Sequence, residues 1–413
     1  MELELVTIGN ELLLGFTLDT NQAEISKALA DIGIRVSRST TVSDDPDAIR
    51  DVVASGLERT GFVITTGGLG PTRDDITKKV IADFFGKSLV LDEEYLGLLR
   101  ERFAQFGRSM PQSNRTQAEV PEGSEVLPNR WGTAPGLWVE GDPGVVVMLP
   151  GVPKEMNGLL NEQLIPRLKK RNTAGSAIRS ATLRTTGVSE SALADSLEGI
   201  ESEIAPATLA FLPSLMGVDL RLTVWNRPVD ECDHILRSGL QALKATVSPY
   251  WYATGDLDLA EVLVAQLSDR RLKIATAESC TGGLVGRRIT SVPGASGVYA
   301  GGIVAYENRI KQDFLGVSED VLQRHGAVSE EVALAMARGA QDRFSVDLAV
   351  AITGIAGPSG GTEAKPVGTV SIAGYFEGAE RVSTRVFPGT REEVRERSAQ
   401  AALDLMRKLL TAE

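Results

Sequence analysis

The chain has 413 residues and a formal net charge of -12, with 42% hydrophobic and 24% charged residues. This length predicts two or three domains, and the composition excludes a disordered or collagen-like chain. The acidic balance argues against direct nucleic-acid binding, because phosphate backbones are held by dense lysine and arginine.

The first part of the chain, 1–170, alternates strands and helices. This alternation predicts a parallel, doubly wound sheet. The first strand begins near the N-terminus without the basic region of a signal peptide, and no run in the chain approaches the roughly 18 apolar residues of a membrane helix. We therefore expect a cytoplasmic protein without membrane contacts. The predicted elements are the strands Leu3–Ile8, Gly61–Thr66 and Gly144–Leu149 and the helices Leu18–Ile32, Ala48–Leu57 and Asp75–Phe85.

The rest of the chain divides into a small α+β module at 171–252 and a second α/β domain at 253–413. The module is predicted to contain the strands Ile178–Thr186 and Val218–Val224 and the helices Ser189–Ile200 and Asp230–Ala245. The second domain is predicted to contain the strands Leu272–Ala277, Val298–Ala305, Asp347–Ile352 and Gly368–Tyr375 and the helices Leu257–Leu267, Leu284–Thr290, Ser329–Phe344 and Glu392–Leu410. These patterns follow the helical and strand periodicities of the apolar residues.

A glycine loop in the N-terminal domain joins a predicted strand to a predicted helix. It reads Thr65-Thr-Gly-Gly-Leu-Gly-Pro-Thr-Arg-Asp-Asp75, and consecutive glycines before a helix N-terminus suit a phosphate group. Asp74 and Asp75 suit a hard divalent cation that bridges phosphates, although acidic residues here are also common as helix caps. Because strand carboxyl ends share one edge of such a sheet, Glu11, Lys154 and Glu155 are expected at the same edge.

The composition restricts how a nucleophile could be activated. The two histidines, His234 and His325, lie in no motif typical of a catalytic site, so lysine, tyrosine, a carboxylate or a metal ion must replace a Ser-His-Asp triad. The two cysteines, Cys232 and Cys280, are far apart and form neither a disulfide framework nor a CxxC metal site. This usage favours a reducing compartment.

The segment Ala277-Glu-Ser-Cys-Thr-Gly-Gly283 lies where a strand gives way to a helix. Such a turn exposes the hydroxyl of Ser279, and the free N–H groups of the helix N-terminus can stabilise an oxyanion by about 3–4 kcal/mol per donor. We expect these donors around Thr281–Gly283, where Gly282 and Gly283 permit close approach of a substrate. The alternative is that Ser279 only caps the helix.

A base for Ser279 is expected among the residues that follow the strand starting at Val298. Lys311 could serve if burial or nearby cations lower its pKa from about 10.4. Tyr306 could relay the proton or orient the lysine, although both residues could equally be ordinary surface residues. A second glycine loop, Thr353–Gly361, follows a buried strand and could cradle a phosphate or a carbonyl, or be only a tight turn.

Three motifs together resemble the C-terminal domain of the CinA family: Ala-Glu-Ser-Cys-Thr-Gly-Gly, the Tyr-x-Asn-x-x-Lys-x-x-x-Leu-Gly-Val run from Tyr306 to Val317, and Thr-Gly-Ile-Ala-Gly-Pro. The resemblance implies a nicotinamide-nucleotide amidohydrolase in which Ser279 attacks the carboxamide of nicotinamide mononucleotide, ammonia leaves and water releases nicotinate mononucleotide, without a cofactor. Tyr306 and Lys311 fall on the family's activating positions. The predicted substrate-binding residues are Thr281, Gly282, Gly283, Asn308, Thr353, Gly354, Ala356 and Gly357.

The N-terminal domain resembles the molybdopterin-binding fold in its CinA-type branch. Gly-Gly-Leu-Gly-Pro-Thr-x-Asp-Asp and Leu-Pro-Gly-Val-Pro-x-Glu-Met carry the likeness, with Asn10 where relatives often have aspartate. The resemblance implies a metal-dependent ADP-ribose pyrophosphatase that gives AMP and ribose 5-phosphate, using a divalent ion such as Mg²⁺ or Co²⁺, with K⁺ as a further candidate. The predicted ligand-binding residues are Gly67, Gly68, Gly70, Thr72 and Lys154, and the predicted metal ligands are Asp74, Asp75 and Glu11.

The middle module occupies the place of the family's KH-like domain. It has no Gly-x-x-Gly loop with basic neighbours, so we interpret it as a spacer or a dimer element in a homodimer, and nucleic-acid binding is not expected. The leading hypothesis is a bifunctional enzyme of pyridine-nucleotide salvage. The alternatives are a non-catalytic accessory protein in competence or recombination, and pterin binding by the N-terminal domain.

Overall fold

A computed structural model describes residues 1–172 and 176–411 of the chain. It contains mixed α/β sheets covered by helices, which confirms the predicted multidomain α/β class. Two compact units are formed, the first by Met1–Arg179 with Val224–His234 and the second by Ser180–Thr223 with Ile235–Glu413. Within the described ranges, no helix combines the length and the apolar character needed to cross a membrane.

The first unit is organised around a six-stranded sheet. The strands of this part of the chain are β1 Glu2–Ile8, β2 Arg35–Val42, β3 Phe62–Thr66, β4 Leu89–Leu91, β5 Glu119–Pro121, β6 Glu125–Leu127, β7 Gly136–Gly141 and β8 Gly144–Leu149. In the order β2-β1-β3-β8-β7-β6, the first four strands are parallel and the last two are antiparallel, while β4 and β5 pair separately. The predicted parallel sheet is therefore extended at one edge by two antiparallel strands.

Helices cover both faces of this sheet. They are α1 Asn10–Leu13, α2 Thr20–Asp31, α3 Pro46–Thr60, α4 Thr77–Phe84, α5 Glu93–Gln105, α6 Pro153–Leu159 and α7 Ile165–Arg171, with a 3-10 helix at Gln112–Ala118 and a π-helical turn at Leu160–Leu164. The bounds of α3 follow from its sequence, since the Asp45 side chain accepts the N–H groups of Asp47 and Ala48, Pro46 opens the first turn and Gly61 ends the helix at φ 69°.

The middle module is a four-stranded sheet with helices. Its strands are β9 Ser176–Thr185, β10 Thr208–Pro213, β11 Val218–Pro228 and β12 Trp251–Thr254, in the order β10-β11-β9-β12. Its helices are α8 Glu190–Ser196, α9 Glu201–Ile204 and α10 Val229–Thr246. The helix predicted at Ser189–Ile200 is present as α8, but it ends at Ser196, and Gly199, whose φ of 84° is left-handed, separates it from α9.

The C-terminal domain contains a five-stranded mixed sheet in which the parallel strands end at one edge. Its strands are β13 Ile274–Glu278, β14 Tyr299–Val304, β15 Leu348–Gly354, β16 Thr369–Phe376 and β17 Ala379–Val386, in the order β14-β13-β15-β16-β17. Strands β13, β14 and β15 are parallel, and β16 and β17 are antiparallel to their neighbours. The carboxyl ends of β13, β14 and β15 therefore bring Ser279, Ala305 and the loop after Gly354 to one edge.

The helices of this domain are α11 Leu259–Arg270, α12 Leu284–Thr290, α13 Asn308–Leu315, α14 Glu319–His325, α15 Glu330–Phe344 and α16 Arg391–Thr411, with a 3-10 turn at Ala295–Gly297. Helix α15 packs closely on α13 at a glycine. A Cβ at Gly339 would overlap the backbone carbonyl oxygen of Leu315, at the C-terminal end of α13. Because α13 carries Lys311, this contact fixes one wall of the C-terminal site.

We expect Gly339→Ala to lower the free energy of unfolding by about 1–3 kcal/mol, because the backbone of Leu315 cannot yield cheaply to an added methyl group. The intrinsic helix propensity of alanine works in the opposite direction. Gly97→Ala is the matched control on α5, since a Cβ there meets no atom within 4 Å and should stabilise by about 0.5–1 kcal/mol. Differential scanning calorimetry measures both, and equal shifts of the two variants would contradict the packing argument.

Candidate active sites

Glu278 ends β13 and holds the start of α12. Its carboxylate is 1% exposed and accepts three main-chain N–H groups, from Gly283 at 3.0 Å, Val285 at 3.1 Å and Gly286 at 2.8 Å. A buried carboxylate with three such donors also balances the positive end of the helix dipole. The helix N-terminus is therefore already occupied by a residue of the chain itself.

The expectation that Thr281, Gly282 and Gly283 face the substrate does not agree with this geometry. The N–H of Gly282 donates to the carbonyl of Ser279 at 3.1 Å, and the N–H of Gly283 donates to Glu278. Thr281 is fully buried, and its carbonyl accepts Nη2 of Arg395 at 3.0 Å. Gly282 and Gly283 adopt φ values of 62° and 93°, which the turn requires. Because both of their N–H groups already donate to acceptors within the chain, neither is left for an oxyanion.

Ser279 and Lys311 meet inside the C-terminal domain. Ser279 directly follows β13, where its N–H donates to the carbonyl of Ile352 at 2.9 Å. Lys311, on α13, is 1% exposed, and its Nζ lies 3.3 Å from Oγ of Ser279. The same Nζ donates to the carbonyls of Ala305 at 2.8 Å and Tyr306 at 3.2 Å.

Burial lowers the pKa of the Lys311 amine, because desolvation disfavours its charged form. An uncharged amine has two N–H donors and one lone pair. The two carbonyl oxygens can take the two donors, which leaves the lone pair for the hydroxyl proton of Ser279. This arrangement is suited to a lysine general base beside a serine nucleophile.

The Tyr306 side chain lines this site, but its hydroxyl has a different partner from the predicted one. Its side chain is 60% exposed, and its hydroxyl accepts Nη2 of Arg391 at 2.9 Å. The contact with Lys311 is made by the main-chain carbonyl of Tyr306. The predicted proton relay or orientation of the lysine through the phenol is therefore not present, because the hydroxyl points to Arg391.

A cavity of about 270 Å³ opens over the Ser279 hydroxyl. It brings together Ser279, Tyr306 and Lys311 with Asn308 and with the predicted loop residues Thr353, Gly354, Ala356 and Gly357. Arg391 also lines it and donates Nη1 to the carbonyl of Gly357 at 2.7 Å. Sequence reasoning missed Arg391, which begins α16 far from the three motifs, where only its charge could have been a signal.

A second cavity, of about 520 Å³, lies at the carboxyl ends of the strands of the N-terminal sheet. Of the predicted residues, it is lined by Glu11, Gly67, Gly68, Gly70, Asp74 and Asp75. Gly67 and Gly68 are required there, because their φ values are 112° and 66° and a Cβ would overlap the carbonyl of Ile8 or the hydroxyl of Thr77. The glycine loop is thus packed directly on β1 and α4.

Thr72 and Lys154 do not line this cavity. Thr72 supports it indirectly, since its hydroxyl donates to Asp74 at 2.5 Å or to Asp75 at 2.6 Å, and its N–H donates to Asp75 at 2.8 Å. The hydrogen bond from Thr72 lowers the pKa of the Asp74 carboxyl. Lys154 is exposed on the first turn of α6, and its neighbour Glu155 faces the cavity instead.

Two further carboxylates line the cavity that were not predicted as ligands. Asp44 accepts the main-chain N–H of Asn10 at 2.9 Å and adds a carboxylate to the cavity lining. Glu155 accepts Nδ2 of Asn129 at 2.6 Å and the N–H of Ala134 at 3.3 Å. Burial raises the pKa of Glu155. The cavity thus combines five carboxylates, Glu11, Asp44, Asp74, Asp75 and Glu155, and no lysine or arginine of the described residues lines it.

A resident metal centre is not formed by the predicted ligands. Within 1–172 and 176–411, no group of three or more histidine, cysteine or acidic side chains is placed to hold a metal ion. The carboxylates of Asp74 and Asp75 both lie within hydrogen-bond distance of the Thr72 hydroxyl, and both line the same cavity as Glu11. The donor set still fits the Mg²⁺ type of site, in which one or two carboxylates are completed by water and substrate phosphates.

Family models match all three parts of the chain. The description "Probable molybdopterin binding domain" matches residues 4–170, "Damage-inducible protein CinA KH domain" matches 180–253, and "CinA C-terminal domain" matches 256–410. A CinA-like protein of Gemmatimonas aurantiaca is 49% identical over 100% of this chain and 97% of its own length, and one of Chloroherpeton thalassium is 44% identical over 99% of each. The chain therefore belongs to the CinA family.

Solved structures also include a relative of part of this chain. The competence/damage inducible protein CihA from Agrobacterium tumefaciens is 40% identical, and the match covers 37% of this chain and 93% of that one, with a TM-score of 0.36. The three-part layout, with a molybdopterin-binding-like domain, a KH-like module and a CinA C-terminal domain, agrees with the resemblance found in the sequence.

We expect Glu278→Leu to lower the free energy of unfolding by about 3 kcal/mol or more, because it leaves three buried N–H groups without an acceptor. Glu278→Gln keeps one acceptor oxygen and should lose less. Glu319→Leu, in the first turn of α14 and exposed, is the control and should change stability by no more than about 0.5 kcal/mol. Urea titration of the full chain measures these changes, and wild-type stability of the Glu278→Leu variant would contradict the capping role.

Proposed function

We propose that the C-terminal site is a serine amidohydrolase that removes ammonia from nicotinamide mononucleotide. The proposal rests on one observation: the buried Nζ of Lys311 lies 3.3 Å from Oγ of Ser279, and no histidine is among the described residues that line this cavity. Lysine bases of this kind require the uncharged amine, and the burial of Lys311 favours that form.

The residues support a two-stage reaction. Oγ of Ser279 attacks the carboxamide carbon and transfers its proton to Nζ of Lys311. Lys311 then protonates the departing nitrogen as the carbon–nitrogen bond breaks, so that ammonia leaves and an acyl-serine ester remains. Water attacks the ester and gives a proton to Lys311, which returns it to Oγ of Ser279 as the carbon–oxygen bond of the ester breaks. The nicotinic acid group that is released then loses its remaining proton to solvent and becomes the carboxylate.

The choice of a nucleotide rather than free nicotinamide is supported by Arg391. Its guanidinium lines the same cavity as Ser279 and has a planar set of donors that suits a phosphate group. In the free site these donors contact two uncharged acceptors, the hydroxyl of Tyr306 and the carbonyl of Gly357. A phosphate is a stronger acceptor than either, so it would attract this side chain.

For the N-terminal site we propose metal-dependent hydrolysis of ADP-ribose to AMP and ribose 5-phosphate. A polyanionic diphosphate cannot bind in a cavity of five carboxylates without a cation, and no basic side chain of the described residues lines it. A divalent ion held between Asp74, Asp75 and the diphosphate would supply charge neutralisation and Lewis-acid chemistry there. Glu155, whose pKa is raised by burial, is suited to receive a proton from water.

Two other functions remain as alternatives to this proposal. An accessory role in competence accords with the name of the Agrobacterium relative, and pterin binding accords with the family description of the N-terminal domain. The accessory role needs no ammonia release, and pterin binding needs no ADP-ribose turnover.

Ammonia release from nicotinamide mononucleotide by the full chain should persist in EDTA and disappear in Ser279→Ala. Ser291→Ala, whose hydroxyl only bonds the carbonyl of Arg288 at the other end of α12, should retain it. AMP formation from ADP-ribose should show the reverse pattern, with loss in EDTA and in Asp75→Asn but not in Ser279→Ala. A wild type that releases no ammonia would reject the amidohydrolase, and AMP formation insensitive to EDTA would reject the metal-dependent reaction.

The kcat/KM for ammonia release should rise with pH as Lys311 loses its proton, with a midpoint below the ordinary lysine value of about 10.4. The kcat/KM rises rather than falls with pH because only the uncharged amine can accept the serine proton. Lys311→Met should reduce the rate by about 10²–10⁴-fold, while Lys273→Met, which removes an exposed contact to the Gly297 carbonyl, should not. A profile with no rising limb at any pH, or one whose midpoint lies at or above the ordinary lysine value of about 10.4, would contradict Lys311 as the base.

A further inference from the structure

A third cavity, of about 370 Å³, lies in the second unit between two loops of the middle module and the C-terminal elements β17 and α16. Thr186–Glu190 and Pro213–Val218 form one side. The other side is formed by Arg385, Phe387, Arg397, Gln400, Ala401 and Asp404. None of these residues lines the cavity over Ser279 or the acidic cavity of the N-terminal domain, so this is a separate place in the molecule.

The side formed by the middle module is tied together by hydrogen bonds. The hydroxyl of Thr186 donates to the carbonyl of Met216 at 2.8 Å, and the hydroxyl of Thr185 donates to the carbonyl of Val218 at 2.6 Å. Gly217 has a φ of 152°, and a Cβ there would overlap the carbonyl of Thr185. The two loops therefore form one preorganised wall.

On the opposite wall, the side-chain amide of Gln400 is buried without hydrogen bonds to the described residues. It is 3% exposed, and among the described residues neither its Nε2 nor its Oε1 has a hydrogen-bond partner. Nε of the neighbouring Arg397 is also without a partner in this part of the chain. Buried polar atoms without partners cost free energy in the folded protein, so their presence on a cavity wall indicates a place where a ligand supplies the missing partners.

The charge of the cavity favours an anion. Among the described residues, neither Arg385 nor Arg397 forms an ion pair. Hydrogen bonds from Thr390 and, to a smaller extent, the charge of Arg397 lower the pKa of the Glu393 carboxyl one helical turn earlier. Asp404 is already paired with Arg407 at 3.0 Å and Lys408 at 2.8 Å. The other acidic residue of the lining, Glu190, is exposed to solvent, which screens it.

We propose that this cavity is a binding site for a small organic phosphate. The guanidinium groups of Arg385 and Arg397 are suited to the phosphate oxygens, and the amide of Gln400 is suited to a polar group on the organic part. The volume exceeds what a bare phosphate fills, which is why an ester is favoured over the free ion. The proposal does not depend on either catalytic assignment, because the test measures binding alone.

The full-length chain carrying ¹³C-methyl methionine reports on the site directly, because Met216 lines this cavity. Ribose 5-phosphate is the probe, and the Met216 resonance is assigned with Met216→Leu. We expect a saturable shift of that resonance, with inorganic phosphate binding at least about tenfold more weakly. No shift of Met216, or equal affinity for the two probes, would overturn the proposal.

Arg385→Gln and Gln400→Leu should each weaken ribose 5-phosphate binding at least about tenfold, and Arg324→Gln, an exposed cation on α14, should not. Gln400→Leu also distinguishes a ligand-binding amide from a structural one. It removes unpartnered polar atoms, so it should unfold at an equal or higher temperature than wild type. Wild-type affinity in both variants, or lower stability of the leucine variant, would reject the site.

Discussion

The Lys311 amine is buried, and no carboxylate of the described residues forms an ion pair with it. The chemistry proposed for the C-terminal domain depends on how that burial is compensated. The compensation comes from the main-chain carbonyls of Ala305 and Tyr306, which are uncharged acceptors. They satisfy hydrogen bonds without favouring the ammonium form as an acidic partner would. In the proposed reaction, the end of β14, the start of α13 and the Gly339 contact that fixes α13 would together place a base beside Ser279.

The N-terminal cavity uses the opposite electrostatic arrangement. Its side chains are carboxylates, held in place by short-range donors such as the Thr72 hydroxyl and the Asn129 amide. The C-terminal site keeps one basic group buried, whereas the N-terminal cavity is lined by five acidic groups. Two sites with such different demands are each built at the carboxyl edge of a mixed sheet, because loops at that edge can be varied while the strands stay fixed.

The elements that could be predicted from the sequence are those with local signals or a regular spacing of apolar residues. The strand before Ser279, the helix after it and the glycine loops were predictable, because they follow from the spacing of apolar residues and the positions of glycines. The positions of Ser279 and Lys311 at one sheet edge also followed from strand polarity. The direction of side chains did not follow from it. Tyr306 turns to Arg391, and Glu278 takes the Gly283 N–H that was expected to serve the oxyanion. Glu155 rather than Lys154 faces the N-terminal cavity. Helices α5, α13 and α14 and strands β2 and β17 were also missed, because their apolar patterns are short or half exposed.

Arg391 shows what a prepared side chain contributes to recognition. Its guanidinium is already restrained between the Tyr306 hydroxyl and the Gly357 carbonyl. The rotamer freedom of an arginine, on the order of 2 kcal/mol, is thus largely lost when the domain folds and not when a nucleotide arrives. In the proposed reaction a phosphate would take over donors from these two acceptors, and the guanidinium would exchange neutral hydrogen bonds for stronger charge-assisted ones. Selectivity for phosphorylated over unphosphorylated nicotinamide would then appear mainly as slower dissociation of the nucleotide.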